Sequence, residues 1–403
     1  MRMAILLIID GFGVGQMPDA PERDKGCNTL RSVSEKVEDL QIPNLIRMGL
    51  GNIMDTPGIE PVYDHAVASY GKCGLGYEGA DTFDGHNEIM GSRIKPHIRQ
   101  YFRDVMNDVK SSLIEKGYEV TEPLEGKPIM LVNGSATIAD NLEVEPGRSV
   151  FNITAALDYM SADKLFKLAR IVRNVPSVKV SRVIAFGSTG YPPERMLECV
   201  RTDEVGRVGV DAPMLNVYDE NYQVIHLGYG VDPERQIPSI LCKNRIKVVL
   251  MSKCQDLIQC QGAIKIPVVA TQDTTDLVLG QMDSTENGFI AATYQETDLA
   301  GHEQDVRKYA ALLETIDEGV GDIIEKLQDE DILIVTGDHG NDPLKGHAWH
   351  TREYTPLLVM GKKVKAAVKL GVRRSLSDIA ATIADIFGVE KPENGESFYG
   401  RLS

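Results

Sequence analysis

Histidine and aspartate side chains gather in one short stretch of this sequence. Half of the eight histidines fall between positions 302 and 350, close in sequence to several aspartates. The residues concerned are His302, His339, His347, His350, Asp298, Asp338 and Asp342. Imidazole nitrogens and carboxylate oxygens together form the mixed ligand shells that suit Mn²⁺ or Zn²⁺. The alternative is a set of solvated surface side chains, but the clustering favours a metal site.

The spacing of these residues supports metal binding. Asp298 and His302 lie four residues apart, and the pair Asp338 and His339 directly follows an apolar run. The carboxyl end of a buried strand is where side chains point into the crevice of an open α/β sheet. A second run of this kind ends at Asp10, which by itself would more often cap a turn.

His347 and His350 form an HxxH pair. On one face of a helix, such a pair could itself hold a metal ion. The other possibility is that His347 is a surface residue or lies just outside the set of metal ligands.

Continuous apolar runs predict the elements that position these residues. Residues 4–9 and 331–336 are unbroken apolar segments of strand length, and 245–251 and 288–294 are weaker ones. Strands without alternation are typical of a parallel sheet covered by helices on both faces. Apolar residues at helical spacing predict a long amphipathic helix over 305–327. The order strand, helix, strand indicates an α/β fold.

The middle of the chain has a different pattern. It mixes a predicted helix over 101–116 with alternating and turn-rich segments. We expect an α+β insertion at 99–229 that acts as a cap or substrate domain, and a metal-binding catalytic core formed by 1–98 and 230–403.

Composition excludes several classes of partner. The 403 residues carry a formal net charge of −16, which argues against binding to nucleic acid or to an anionic membrane. A phosphorylated substrate would need local cations, for which metal ions are one source. The apolar run before Asp10 is too short for a signal peptide or a membrane span, so we expect a cytoplasmic protein.

Two other classes of site are not expected. Gly11, Gly13 and Gly15 follow the first strand, but Gln16 stands where a dinucleotide-binding fingerprint needs glycine, so no dinucleotide cofactor is expected. The six cysteines contain no CxxC pair and fit idle or buried thiols better than a disulfide framework or a zinc knuckle.

With these motifs in place, the sequence resembles phosphopentomutases of the alkaline phosphatase superfamily, as a divergent paralogue. The matches cover about the first 95 and the last 120 residues. They are Asp10 to Ala20, Pro43 to Asn52, Asp81-Thr82, Gly85-His86, Glu88 to Gly91, Gly337 to Pro343, and His350 to Glu353. The resemblance implies an alkaline-phosphatase-like core, with a mainly parallel sheet between helices, and an inserted cap domain.

The resemblance also implies site residues and cofactors. Asp10, Asp338 and His339 would hold one divalent ion, and Asp298, His302 and His350 would hold the other, with Mn²⁺ as the expected metal. Thr82 takes the position of the family's phosphorylated threonine, and Lys253 that of a lysine near the substrate. A sugar bisphosphate is a further expected cofactor, as an activator.

Chemistry explains why such a set is needed. Two divalent ions roughly 3.5–4 Å apart clamp an in-line phosphoryl displacement. A threonine hydroxyl is a poor nucleophile at neutral pH unless a neighbouring metal lowers its pKa. We therefore expect a phosphomutase, an isomerase that moves a phosphoryl group within a phosphorylated sugar or related small molecule through phospho-Thr82. The alternatives are a metal-dependent phosphatase or phosphodiesterase on the same site, and a non-catalytic binding protein.

The cap departs from the family pattern. Alanine occupies the segment 152–156 where the family has an aspartate that contacts ribose hydroxyls, and Phe186 replaces an arginine expected to meet the sugar phosphate. Because a polar pocket discriminates through paired hydrogen bonds, we expect ribose 5-phosphate and ribose 1-phosphate to be poor substrates.

Overall fold

The structure is a computed structural model that describes residues 2–144, 148–217 and 221–402. The chain divides into two compact units, of which the first runs up to Ile94 and resumes at Asp232, and the second is Lys95–Val231. The strands are β1 (Met3–Ile9), β2 (Ser69–Cys73), β3 (Val120–Thr121), β4 (Met130–Val132), β5 (Ala136–Asp140), β6 (Val150–Ala156), β7 (Arg182–Ser188), β8 (Val200–Thr202), β9 (Val208–Val210), β10 (Gln223–Gly228), β11 (Lys247–Met251), β12 (Ile264–Ile266), β13 (Gly288–Tyr294), β14 (Ile332–Thr336), β15 (Thr355–Met360) and β16 (Lys369–Arg373). The α-helices are α1 (Thr29–Lys36), α2 (Pro43–Arg47), α3 (Thr82–Ile89), α4 (Phe102–Glu115), α5 (Ala162–Arg173), α6 (Pro193–Glu198), α7 (Ala212–Leu215), α8 (Ile237–Lys243), α9 (Lys253–Leu257), α10 (Thr271–Asp283), α11 (Glu296–His302), α12 (Val306–Lys326), α13 (Ser377–Phe387) and α14 (Tyr399–Leu402).

An eight-stranded sheet forms the middle of the first unit, in the order β12-β11-β13-β1-β14-β15-β2-β16. Strand β1 pairs in parallel with both β13 and β14, and β11 pairs in parallel with β12 and β13. Strand β15 runs antiparallel to β14 and β2. The mainly parallel α/β sheet predicted from the apolar runs is confirmed.

Both faces of this sheet are buried, which explains the unbroken apolar sequence of β1. Ile5 and Leu7 belong to one core cluster, together with residues of α12, whereas Leu6 and Ile8 belong to another, together with residues of α13. A strand covered on both sides gains free energy from burying every side chain, so alternation disappears. The long helix predicted over 305–327 is confirmed as α12.

The second unit has an α+β architecture of its own. Its six-stranded sheet has the order β10-β7-β6-β5-β4-β3, and β6 with β7 is its one parallel pair among the described strands. Apolar residues of α4 and α5 pack with this sheet in one buried cluster. Within the described residues, neither unit contains a helix long and apolar enough to cross a membrane.

Candidate active site

The candidate site lies where adjacent parallel strands of the first unit end. Asp10 follows β1, Asp338 lies two residues beyond the end of β14, and Asp298 lies in α11, which begins just after β13. The ends of these three strands are neighbours in the sheet, since Ile8 pairs with Thr336 and Ile9 with Tyr294. Parallel pairing therefore brings together three carboxylates that are far apart in the sequence.

Thr82 is the first residue of α3, and its hydroxyl lies among the ends of these strands. Its Oγ1 is 3.0 Å from Asp10 Oδ1, 2.9 Å from Asp338 Oδ2 and 3.0 Å from His339 Nε2. One hydroxyl proton can be donated to only one carboxylate at a time. Several hydrogen-bond acceptors around Oγ1 are therefore left without a donor. A bound cation would satisfy them as metal ligands.

Two groups of candidate ligands meet at this point. His339 Nε2 lies 3.5 Å from Asp10 Oδ1 and 3.2 Å from Asp338 Oδ2. Asp298 forms the second group, with its Oδ2 3.4 Å from His302 Nε2 and its Oδ1 3.3 Å from His350 Nε2. The structure thus brings together all six residues that the sequence analysis assigned to metal binding.

The histidines of both groups present Nε2 to the carboxylates. His302 Nδ1 lies 2.6 Å from the carbonyl oxygen of Ala348, and His339 Nδ1 lies 3.1 Å from that of Gly340. A backbone carbonyl accepts a hydrogen bond from Nδ1–H, which favours the tautomer whose Nε2 lone pair is available as a ligand. The Nε2 atoms of His302 and His350 are 3.0 Å apart, as expected for two nitrogens directed at one ion.

Burial and mutual repulsion perturb the charges of the site. Burial, together with the neighbouring Asp338, raises the pKa of Asp10 to about 7. Burial also lowers the pKa of His339 to about 4, so this imidazole is neutral at pH 7, as a metal ligand must be. Burial by itself would raise the pKa of Asp338. The neighbouring His339 and His86 outweigh it and hold the pKa of that carboxyl below its usual range.

Lys253 supplies a positive charge between the two groups. Its Nζ lies 2.8 Å from Asp10 Oδ2 and 2.9 Å from Asp298 Oδ2. Although burial disfavours the charged amine, the two carboxylates hold the pKa of Lys253 above its usual range. The ammonium group thus offsets part of the repulsion among the buried carboxylates.

His86 belongs to the site, although sequence reasoning assigned it no role. Its Nδ1 lies 2.9 Å from the carbonyl oxygen of Thr82 and 3.2 Å from Asp338 Oδ2. Its Nε2 lies 2.8 Å from Thr293 Oγ1. The sequence signal was its position four residues after Thr82, which places both residues on one face of α3.

Glu353 is a second residue that sequence reasoning missed. Its Oε2 accepts hydrogen bonds from the backbone N–H groups of Gly15 and Thr29, at 3.1 and 2.9 Å. Its Oε1 accepts from the hydroxyls of Thr29 and Thr351, at 2.8 and 2.7 Å. A Cβ at Gly13 or Gly340 would overlap the Glu353 carboxylate, so only glycine fits at these two positions. Glu353 therefore links the loop after Asp10 to the segments that follow His339 and His350.

The structure also places two further residues that the sequence analysis named, His347 and Phe186. His347 and His350 do not share a helix face, because the segment 341–350 is irregular, and His347 Nε2 instead lies 3.7 Å from Asp24 Oδ1. Phe186, which stands where the family has an arginine, is 2% exposed and packs near Tyr222 in the core of the second unit. A phenyl ring gains more free energy from this burial than from contact with a polar ligand.

Comparisons with known proteins place this geometry in a family context. A family model described as the metalloenzyme superfamily matches residues 2–391. The chain is 31% identical over 416 residues to the phosphopentomutase of Alkaliphilus oremlandii, with 99% of this chain and 98% of that protein covered. It is 32% identical over 410 residues to the phosphopentomutase of Desulfitobacterium hafniense, with both chains fully covered. Among solved structures, it is similar to the phosphoglycerate mutase of Leishmania mexicana, with a TM-score of 0.49, 13% identity, and coverage of 98% and 97%.

Proposed function

Because this chain belongs to the metalloenzyme superfamily and, within it, to the phosphopentomutase family, we propose that it moves a phosphoryl group within a phosphorylated sugar or related small molecule. Its family makes it a phosphomutase, an enzyme of the isomerase class, and a metal-binding protein. Thr82 is the proposed nucleophile and carries the phosphoryl group between the two positions on the substrate.

The surroundings of the Thr82 hydroxyl carry this proposal. Its oxygen lies about 3 Å from two buried carboxylates and one imidazole nitrogen, those of Asp10, Asp338 and His339. Thr82 also begins α3, where backbone N–H groups without helical partners favour an anion such as a phosphoryl group.

The residues present fit two divalent ions. Asp10, Asp338 and His339 would hold one ion, and Asp298, His302 and His350 would hold the other. When bound, the ions would supply positive charge that lowers the pKa of the Thr82 hydroxyl and neutralises the phosphoryl oxygens. Mixed carboxylate and imidazole ligands are consistent with Mn²⁺, which we propose as the metal.

The chain's own residues would position the exchange. The P–O bond to phospho-Thr82 breaks as a P–O bond forms to the free hydroxyl of a monophosphate substrate, and a bisphosphate results. Its other phosphoryl group then returns to Thr82, which restores the phosphoenzyme and releases the isomer. A sugar bisphosphate would phosphorylate the resting enzyme and so act as an activator. Asp338 and His86 would hold the Thr82 segment in place throughout.

The inserted unit is the proposed cap. A phosphothreonine open to solvent would lose its phosphoryl group to water, so the transfer requires a covered site. We assign this role to the predicted cap at 99–229, and the catalytic role to 1–98 with 230–403.

The test is a screen of phosphorylated sugars with Mn²⁺ present, in which both isomeric product and free phosphate are measured. We expect an isomeric phosphate and, after treatment with a sugar bisphosphate, a mass increase of about 80 Da on the peptide that contains Thr82. Thr82→Ala should abolish both, whereas Thr315→Ala at a half-buried position of α12 should keep both. Free phosphate without an isomer, or full activity of Thr82→Ala, would contradict the proposal.

A further inference from the structure

Two cysteines that are distant in sequence lie together in the first unit. Cys242 and Cys260 are 18 residues apart, and their Sγ atoms are separated by 3.5 Å. Gly262, which has a left-handed φ of +96°, also lies beside Cys242, since a Cβ at this position would be 3.8 Å from Cys242 Sγ. Cys27 and Cys254 instead contact oxygen atoms, the carbonyl oxygen of Arg352 and the hydroxyl of Thr293 respectively.

The two thiols differ in accessibility. Cys242 lies near the end of α8, is partly exposed, and lines an open cavity of about 480 Å³. Cys260 is 9% exposed and does not line that cavity. A reagent in the cavity would therefore reach Cys242 first.

The cavity has a basic lining. Lys243, Arg245 and Lys247 contribute to it, against a single carboxylate from Glu234. The excess of positive charge favours the binding of an anionic small molecule. Low-molecular-weight thiols and disulfides that carry carboxylates, such as glutathione, have this chemistry.

We propose that Cys242 and Cys260 are a redox modification site, in which Cys242 reacts with an anionic low-molecular-weight disulfide and Cys260 completes an intramolecular disulfide. The inference is independent of the phosphomutase reaction and of the metal ligands. It assigns a role to two of the six cysteines, none of which belongs to a CxxC motif.

The exchange balances with oxidised glutathione as the oxidant. The Cys242 thiolate attacks one sulfur of the reagent, which breaks its S–S bond, forms a mixed disulfide and releases one glutathione thiol. The Cys260 thiolate then attacks Cys242 Sγ and releases the second glutathione thiol. The two protein thiol protons end on the two glutathione molecules, which are reduced as the protein pair is oxidised. Partial burial and the adjacent Cys260 raise the pKa of Cys242 to about 12, so the exchange is slow at neutral pH.

The disulfide would enclose the segment that presents Lys253 to the carboxylates. Between the two cysteines the chain contains β11, Ser252 with a left-handed φ of +56°, and α9 with Lys253 at its first position. The new bond would join the two ends of this segment. Oxidation would thus restrict the backbone beneath Lys253 without touching Lys253 itself.

The test uses the full-length reduced protein, incubated with oxidised glutathione, alkylated and digested with trypsin without reduction. We expect one cross-link, between peptide 236–243 and peptide 254–265, which dithiothreitol reverses. Peptide 254–265 also contains Cys254, so fragmentation of the cross-linked pair must place the bond on Cys260.

Three variants separate the steps. Cys260→Ser should accumulate glutathione on Cys242, whereas Cys242→Ser should leave Cys260 reduced and open to alkylation after unfolding. Cys199→Ser, which removes a buried cysteine of the second unit, should form the cross-link as the parent protein does. A stable mixed disulfide on Cys242 in the parent protein, a bond to Cys254, or six thiols that all remain reduced would each overturn the proposal.

Discussion

Removal of the Glu353 carboxylate should destabilise the loops that carry the candidate ligands. In Glu353→Leu, the buried N–H groups of Gly15 and Thr29 lose their acceptor. An unsatisfied buried donor costs about 1–3 kcal/mol, so the two together should lower the free energy of unfolding by about 2–6 kcal/mol. Glu353→Gln can keep both bonds through its amide oxygen and turn its NH₂ group toward the hydroxyls of Thr29 and Thr351. We expect this variant to lose only about 1 kcal/mol.

The chain offers a local probe for this measurement. Trp349 is the only tryptophan and lies two residues before Thr351. Its fluorescence during urea unfolding therefore follows the segment that Glu353 holds. We also expect Mn²⁺ affinity to fall by about 10–100-fold in Glu353→Leu, which is the usual effect of losing a residue that orients ligands.

Asp317→Asn is the matched control. Asp317 is a buried carboxylate that accepts hydrogen bonds from the backbone N–H groups of Asn44 and Leu45, on the distant helix α2. This variant should be destabilised but should retain the Mn²⁺ affinity of the parent protein. If Glu353→Leu unfolds within about 1 kcal/mol of the parent, or binds Mn²⁺ equally well, Glu353 does not have the linking role inferred here.

Three further predictions concern metal, pH and substrate. Chelation should abolish activity, and Mn²⁺ should restore it. Elemental analysis of Asp338→Asn and of His339→Ala should show one bound ion in place of two. Unchanged metal content in both variants would refute the ligand assignment. Burial raises the pKa of Glu88 from 4.5 to about 7, so its contribution to stability is complete below pH 4.5 and is lost as the pH rises through 7, by about 3 kcal/mol. Glu88→Gln should lack this loss in urea unfolding at pH 4.5 and pH 8, and identical pH profiles would argue against the raised pKa. Ribose 5-phosphate and ribose 1-phosphate should be poor substrates, and their interconversion with kcat/KM of about 10⁴–10⁸ M⁻¹s⁻¹ would show an ordinary phosphopentomutase.

Local sequence patterns were sufficient for the elements of the core. The apolar runs of β1 and β14 and the helical spacing of α12 predicted these elements to within a residue or two. Burial on both faces of a strand produces a continuous apolar run, and burial of one face of a helix produces apolar residues at helical spacing. The motifs around Asp10, Thr82 and Asp338 likewise predicted the family, which the full-length relatives confirm. The roles of the six ligands and of Thr82 stay predictions until metal and phosphate are measured.

Contacts between distant segments were decided by the tertiary structure alone. The HxxH pattern left open whether His347 and His350 share a helix face, and the irregular path of 341–350 instead turns His347 toward Asp24. In the sequence, Glu353 looks like an ordinary charged residue. Only the fold places the backbone N–H donors of Gly15 and Thr29 beside its carboxylate. The local periodicity of a sequence does not predict which loops come into contact at the end of a sheet.

The thiol pair shows the same division between sequence and structure. No local motif joins Cys242 and Cys260, and the sequence favoured idle thiols. Their contact depends on the end of α8 meeting the loop before β12, beside the parallel pair of β11 and β12. The sequence by itself therefore determined the elements, the family and the types of the chemical groups. Only the tertiary structure decided which groups face one another, because that depends on strand order and loop path rather than on local spacing.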